Sequence, residues 1–86
     1  MYKVQVVASV LGDEAADRRV RAAVKRAGGV VEEMAGNEEA GGAVTQVVIV
    51  RMTTTQMLRS VVSSIEGLRG VAVVAVGKPE RVADHS

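Results

Sequence analysis

Few side chains of this 86-residue chain could perform chemistry, and none of them falls in a catalytic pattern. The only histidine, His85, lies in a polar segment without neighbouring acids or bases, and cysteine is absent. Paired carboxylates occur at Glu32-Glu33 and Glu38-Glu39. Adjacent residues of a strand point to opposite faces, so neither pair can converge on one bond. The sequence therefore predicts a protein that is not an enzyme and needs no cofactor or metal.

Composition limits the partners as well. The 11 basic and 10 acidic residues give a net charge of +1, which provides no general attraction to nucleic acid or to anionic membranes. Tyr2 is the single aromatic residue, so stacking surface for nucleobases is almost absent. The apolar run Val71 to Val76 is far shorter than the ~20 residues that span a bilayer. We expect no nucleic-acid partner and no direct membrane insertion, and the lack of cysteine is typical of the cytoplasm.

The elements that must position any site follow a repeated strand-helix-strand pattern, over Val4 to Met34 and again over Val44 to Val76. The first strand alternates apolar and polar residues from Val4 to Val10, which predicts one buried face. Asp13 is a suitable N-cap for a helix that extends to about Ala27, and Gly28 can adopt the left-handed conformation that ends it. The apolar stripe of this helix consists of Ala16, Val20, Ala23, Val24 and Ala27.

The second half is predicted in the same way. A strand at Val30 to Ala35 is followed by a hairpin loop at Gly36 to Gly42 and a strand at Val44 to Met52. The segment Thr53-Thr54-Thr55-Gln56 has the spacing of a capping box at the start of a second helix, which Gly70 would end. Its apolar stripe consists of Met57 or Leu58, Val61, Val62, Ile65 and Leu68.

Two βαβ units joined by a hairpin predict an α+β, ferredoxin-like βαββαβ fold: a four-stranded antiparallel sheet in the order 4-1-3-2, with both helices on one face. We expect a single domain over residues 1–78 and a polar C-terminal tail over residues 79–86. The other sheet face would carry valines of the central strands without a helix to cover them. Such a surface is typical of an interface, so we expect a homodimer or docking on another domain of a longer parent protein.

Three short segments resemble the ACT domain family: Leu11-Gly12-Asp13, Lys25 through Val30, and Leu58 through Ile65-Glu66-Gly67-Leu68-Arg69-Gly70-Val71. The similarity covers roughly residues 3 to 77. It implies a non-catalytic regulatory module that pairs with a second copy and binds an amino acid or another small effector at the loop after the first strand. By position, the ligand-binding residues would be Val10, Leu11, Gly12, Asp13 and Glu14.

This loop departs from the family pattern, because the usual proline-glycine pair is missing and Asp13 and Glu14 are acidic. A turn followed by a helix cap remains the alternative interpretation of Gly12-Asp13. The layout is also similar to the effector-binding half of Lrp-type regulators and to the soluble C-terminal domain of MgtC-type membrane proteins. In the MgtC case the domain would have a structural or interaction role in the cytoplasm.

A third resemblance involves Val48 through Met57, which is similar to the loop of heavy-metal-associated domains. Thr54 and Met57 occupy the positions of that family's two cysteines. A hydroxyl and one thioether are poor substitutes for the thiolates that Cu(I) or Zn(II) sites need. We therefore predict that Met52 and Met57 pack in the core or against the loop rather than bind metal.

The first predicted helix is strongly basic. It contains Arg18, Arg19, Arg21, Lys25 and Arg26, with acidic residues at its start. This order suits the helix dipole, and a solvated outer face is the simplest interpretation. A docking site for an acidic partner or for RNA remains the alternative.

Overall fold

A computed structural model of the chain describes residues 1–11, 14–38 and 42–82. Along the chain, the elements are β1 (Tyr2–Leu11), α1 (Glu14–Arg26), β2 (Val30–Glu38), β3 (Ala43–Met52), α2 (Met57–Glu66), β4 (Val71–Val76) and β5 (Glu80–Arg81). The sheet order is β2-β3-β1-β4, which is the predicted order counted from the opposite edge. All pairings are antiparallel. The predicted α+β, ferredoxin-like fold is therefore confirmed.

The core lies between the helices and one face of the sheet. On β1 the alternation confirms the prediction, since Val4, Val6, Ala8 and Val10 are almost completely buried. The predicted stripe of α1 is buried as well, apart from the half-buried Ala27. From α2, Val61 and Ile65 enter the core, and from β3 it receives Val48, Val50 and Met52. Met52 is 1% exposed and the half-buried Met57 packs against the core, as predicted for both residues.

Helix α1 ends in a Schellman motif that follows directly from its two glycines. The amide of Gly29 donates to the carbonyl of Val24 at 3.0 Å, and the amide of Gly28 donates to that of Lys25 at 3.0 Å. Gly28 has a φ of 92°, a conformation that side chains with a Cβ rarely adopt. The prediction for Gly28 is confirmed.

Both predicted ends of α2 are wrong. Gln56 has helical backbone angles (φ −64°, ψ −26°) and no side chain caps the helix, so the capping box does not form. A backbone turn leads into the helix instead, in which the Met57 amide donates to the Thr54 carbonyl at 3.3 Å. The helix ends at Glu66, with Gly67 as its C-cap. Gly70 has a φ of 78° and belongs to the following turn, which leads into β4.

The sheet also extends beyond the predicted strands. β2 continues three residues past the predicted end, Ala35, to Glu38. Glu80 and Arg81 pair with Lys3 and Tyr2, so the predicted polar tail is corrected at these two residues. Pro79 separates this short strand from β4, because proline cannot continue a sheet ladder. Residues 83–86, including His85, lie outside the described part of the chain, and the domain boundary at residue 78 stays a prediction.

Candidate functional site

The predicted effector loop connects β1 to the first turn of α1. Val10 is 2% exposed and points into the core, whereas Leu11 is 65% exposed. The Leu11 amide donates to the Gly70 carbonyl at 3.0 Å, which joins the end of β1 to the turn before β4. Glu14 is the first residue of α1, but its side chain, like Gly12 and Asp13, lies outside what the structure describes. Of the five predicted residues, the structure therefore describes one exposed side chain, that of Leu11, and the start of α1 at Glu14.

A polar pair joins β3 to α1, and sequence reasoning missed it. Gln46 of β3 is 4% exposed, and its Nε2 donates to Oδ1 of the exposed Asp17 on α1. The Oε1 atom of Gln46 is buried and accepts no hydrogen bond. The signal was present in the sequence, because Gln46 precedes Val48, Val50 and Met52 at the spacing of the buried face of β3.

The second sheet face, which we call the open face, carries an apolar row across all four main strands. Val47 of β3 lies opposite Val7 of β1, and their outer neighbours are Ala35 of β2 and Ala75 of β4. Val7, Val47 and the adjacent Ile49 are only half-buried, in contrast to the buried residues that alternate with them. The predicted uncovered apolar face is therefore present in the single chain.

Around this row the open face carries polar and charged side chains as well as the apolar Ile49 and Val30. Ile49 lies between Gln5 and Glu33 on the neighbouring strands, and Val30 is 62% exposed next to Arg51. The Nε atom of Arg51 donates to Oε2 of Glu32 at 2.7 Å, with both side chains partly exposed. An apolar centre within a polar rim is the usual composition of a protein interface.

The free edge of β2 forms a second candidate surface. Glu32 is an extra residue in a β-bulge, because Val31 pairs with Val50 and Glu33 pairs with Ile49. Beside the bulge, a cleft of about 270 Å³ lies between α1 and the start of β2. It is lined by Arg21, Lys25, Gly29, Val30 and Val31. Two of the predicted basic residues of α1 thus border a sheet edge.

The segment that resembles a metal-binding loop has a packing role in the structure. The Thr53 hydroxyl donates to the thioether of Met57 at 3.1 Å, and Thr54 is exposed. Within the described residues, no group of three histidine, aspartate or glutamate side chains is placed to hold a metal ion. In the same part of the chain, neither helix is long and apolar enough to cross a membrane.

An open groove of about 900 Å³ lies between the outer side of α2 and the end of β4. Leu58 and Val62 of α2 and Val76 of β4 supply its apolar wall, and Arg59 and Glu66 lie at its polar side. Val76 is 41% exposed in this groove.

Comparison with solved structures supports the fold. The ACT domain from the GTP pyrophosphokinase of Chlorobium tepidum matches with a TM-score of 0.55 and 12% identity, over 99% of this chain and 90% of that one. The C-terminal domain of the MgtC protein from Mycobacterium tuberculosis matches with a TM-score of 0.56 and 18% identity, over 99% of this chain and 92% of that one. Both resemblances predicted from the sequence are confirmed as likenesses of fold.

An unknown protein from Galdieria sulphuraria gives a TM-score of 0.68 at 15% identity over 96% of this chain. The chain spans about half of that protein, 48% of its length. No family model matches the chain, and no curated protein sequence matches it. Identities this low establish a shared fold and leave function to the surfaces of this chain.

Proposed function

We propose that this protein is a non-catalytic regulatory module of the cytoplasm, which associates with a second copy of itself through the open face and senses a small ligand. The observation that carries the proposal is the apolar row formed by Ala35, Val47, Val7 and Ala75. Helices cover the centre of one side of the sheet, while the other side leaves valine and isoleucine side chains half-exposed at its centre.

The size of the open face fits a dimer interface. Four strands spaced about 4.8 Å apart give a width of about 19 Å. The ten residues of β1 and of β3 give a length of about 34 Å at about 3.4 Å per residue. Since β2 has nine residues and β4 has six, the footprint is about 570 Å², which lies near the lower limit of about 600 Å² per partner for specific interfaces. Packing two such faces together buries both apolar rows.

The same face could instead dock on another domain of a longer parent protein. The likeness to the MgtC C-terminal domain supports this second candidate, because it covers nearly the whole chain. Both candidates use the same row of residues, and they differ in the state of the isolated chain. A self-associating module is a dimer at micromolar concentration, whereas a docking module is a monomer.

The test is sedimentation equilibrium of the full chain and of Val47→Glu. Glutamate at the centre of the apolar row places two like charges in a buried interface, so we expect the dimer to dissociate while the far-UV circular dichroism stays unchanged. The matched control is Val74→Glu on the edge strand β4, where the side chain is 65% exposed. A dimer that survives Val47→Glu but not Val74→Glu would show edge pairing and refute the open face.

The ligand would bind at the loop from Val10 to Glu14. The start of α1 favours an anionic group such as a carboxylate, because the helix dipole is positive there. NMR titration of the ¹⁵N-labelled chain with the common amino acids, and separately with Zn(II) and Cu(I), tests this site. We expect amide shifts confined to residues 10–14. Shifts at Met52 to Met57 would favour the metal interpretation, and no shifts would leave an interaction domain without an effector.

A further inference from the structure

The basic side of α1 and the free edge of β2 together form a groove that the proposed function does not use. Arg21 and Lys25 of α1 form one wall of the cleft of about 270 Å³, and Gly29, Val30 and Val31 form the other. Both cations are exposed to solvent. Neither forms an ion pair with another residue that the structure describes. Among the described strands, β2 pairs only with β3, so its other edge presents backbone groups without a strand partner.

We propose that this edge binds an extended peptide of a partner protein, in which acidic side chains alternate with neutral ones. The peptide would add a strand beside β2 and place its acidic side chains under α1. Main-chain hydrogen bonds to a sheet edge supply affinity in such complexes, and alternate side chains supply specificity. The cations would select glutamate or aspartate on the helix side.

The spacing of the cations matches an extended chain. Arg21 and Lys25 are four residues apart on α1, which corresponds to about 6 Å along the helix axis. Alternate residues of a strand, which point to the same face, are about 6.6 Å apart. Arg18 continues the row one turn earlier. Two carboxylates at positions i and i+2 of a peptide can therefore meet Arg21 and Lys25 together.

A second copy of this chain fits the groove poorly. Pairing two β2 edges around a two-fold axis would bring both α1 helices together and set Arg21 and Lys25 against the same cations of the other copy. The bulge at Glu32 also interrupts the regular edge, a feature that discourages pairing between copies. A short peptide avoids the first problem, because it brings opposite charge, and its flexible backbone can follow the bulge beside Arg21 and Lys25.

Nucleic acid is the other polyanion that a basic helix could attract, but the groove is unsuited to it. Its lining combines Arg21 and Lys25 with the apolar Val30 and Val31, and it contains no aromatic side chain. Single strands are bound through base stacking as well as phosphate contacts. The carboxylate of Glu33 on the open side of β2 would also repel a phosphate backbone, whereas a neutral peptide side chain is tolerated there.

Fluorescence anisotropy with the full chain at low ionic strength tests the proposal. The probe is a labelled twelve-residue peptide of alternating glutamate and threonine, and the comparison peptide has the same composition with its glutamates in one block. We expect the alternating peptide to bind at least about fivefold more tightly. We also expect Arg21→Glu combined with Lys25→Glu to weaken it about tenfold. The matched control is Arg59→Glu combined with Arg69→Glu, which changes the net charge equally at exposed positions elsewhere and should alter affinity less than about twofold.

Amide hydrogen exchange separates strand addition from simple charge attraction. Bound peptide is expected to slow exchange at amides of β2 between Val30 and Asn37. Equal losses in the two double variants, tighter binding of labelled oligouridylate than of the peptide, or unchanged exchange along β2 would each overturn the proposal. The open-face dimer is unaffected by any of these results, because its residues lie on the other side of the sheet.

Discussion

Replacing Gln46 with methionine is expected to stabilise the protein, although it removes a hydrogen bond. Gln46 is 4% exposed, and its Oε1 atom is buried without a donor. Its Nε2 atom donates to the Asp17 carboxylate, which lies at the protein surface. Methionine has nearly the same shape and no polar group, and its flexible chain can follow the path of the glutamine.

The expected gain in stability arises because the Oε1 and Nε2 atoms of Gln46 have different environments. A buried carbonyl without a partner costs about 1–3 kcal/mol, and methionine removes that cost. A hydrogen bond to a carboxylate is worth about 1.5–3 kcal/mol, and the low end applies here because water can replace Gln46 at the exposed Asp17 carboxylate. The net gain is then about 0.5 kcal/mol in the free energy of unfolding. For a domain of this size it corresponds to a rise in Tm of about 2–4 °C.

Urea unfolding followed by circular dichroism measures this change, with Asp17→Ala and Asp17→Asn as companions. Asp17→Ala leaves the buried Nε2 unpaired as well and should destabilise by about 1–3 kcal/mol. Asp17→Asn retains an acceptor and should cost less. A Gln46→Met variant that loses 1 kcal/mol or more would refute the reasoning, because Oε1 would then have to be satisfied in solution.

Three further perturbations test the ends of the helices, the core under α2 and the ion pair at the bulge of β2. Gly28→Ala should lower the free energy of unfolding in urea by about 1–2 kcal/mol, because Gly28 has a φ of 92°. The control Gly67→Ala, at a φ of −71°, should leave stability equal or higher. Equal effects of the two substitutions would contradict the backbone argument. Ile65→Ala removes a side chain that is 0% exposed and should cost about 2–5 kcal/mol in the same assay, and a loss below 1 kcal/mol would show that the core under α2 is loosely packed. Glu32→Gln breaks the partly exposed pair with Arg51 and should change stability by less than about 1 kcal/mol, and a larger loss would show that the bulge depends on this ion pair.

Most of the architecture could be predicted because local and long-range signals agree. The alternation from Val4 to Val10 predicts one buried face, and it leaves Lys3 and Gln5 for the other. The end of α1 at Gly28 could be predicted because positive φ values are a property of one residue type. The strand order followed from the right-handed crossover of each βαβ unit, a rule that needs no knowledge of side-chain contacts.

The sequence predictions were wrong where the residues allowed more than one local backbone structure. Three consecutive threonines offered a capping box, but the chain forms a backbone turn at Thr54 and the Thr53 hydroxyl donates to Met57 instead. Glycines at 67 and 70 both permitted a helix end, and α2 stops before the first. The pairing of Glu80 with Lys3 depends on where β1 begins in space, which no pattern near Pro79 reveals.

The candidate surfaces were predicted only in part. The uncovered apolar face was expected, since helices on one side leave the other side bare. Its continuous row from Ala35 through Val47 and Val7 to Ala75 required the register of four strands. The cleft at Lys25 and Val30 required α1 to lie above the edge of β2, and the placement of residues 10–14 as a ligand site stays a prediction.

By itself, the sequence determined the element types, the buried stripes and the sheet order, because these depend on the period of apolar residues, on glycine conformations and on chain handedness. The tertiary structure alone decided which polar groups meet. Gln46 reaches Asp17 across 29 positions of sequence, and Glu32 reaches Arg51 across 19. Such contacts are set by strand register and helix placement, and a shift of one residue in register would turn each of these strand side chains to the opposite face.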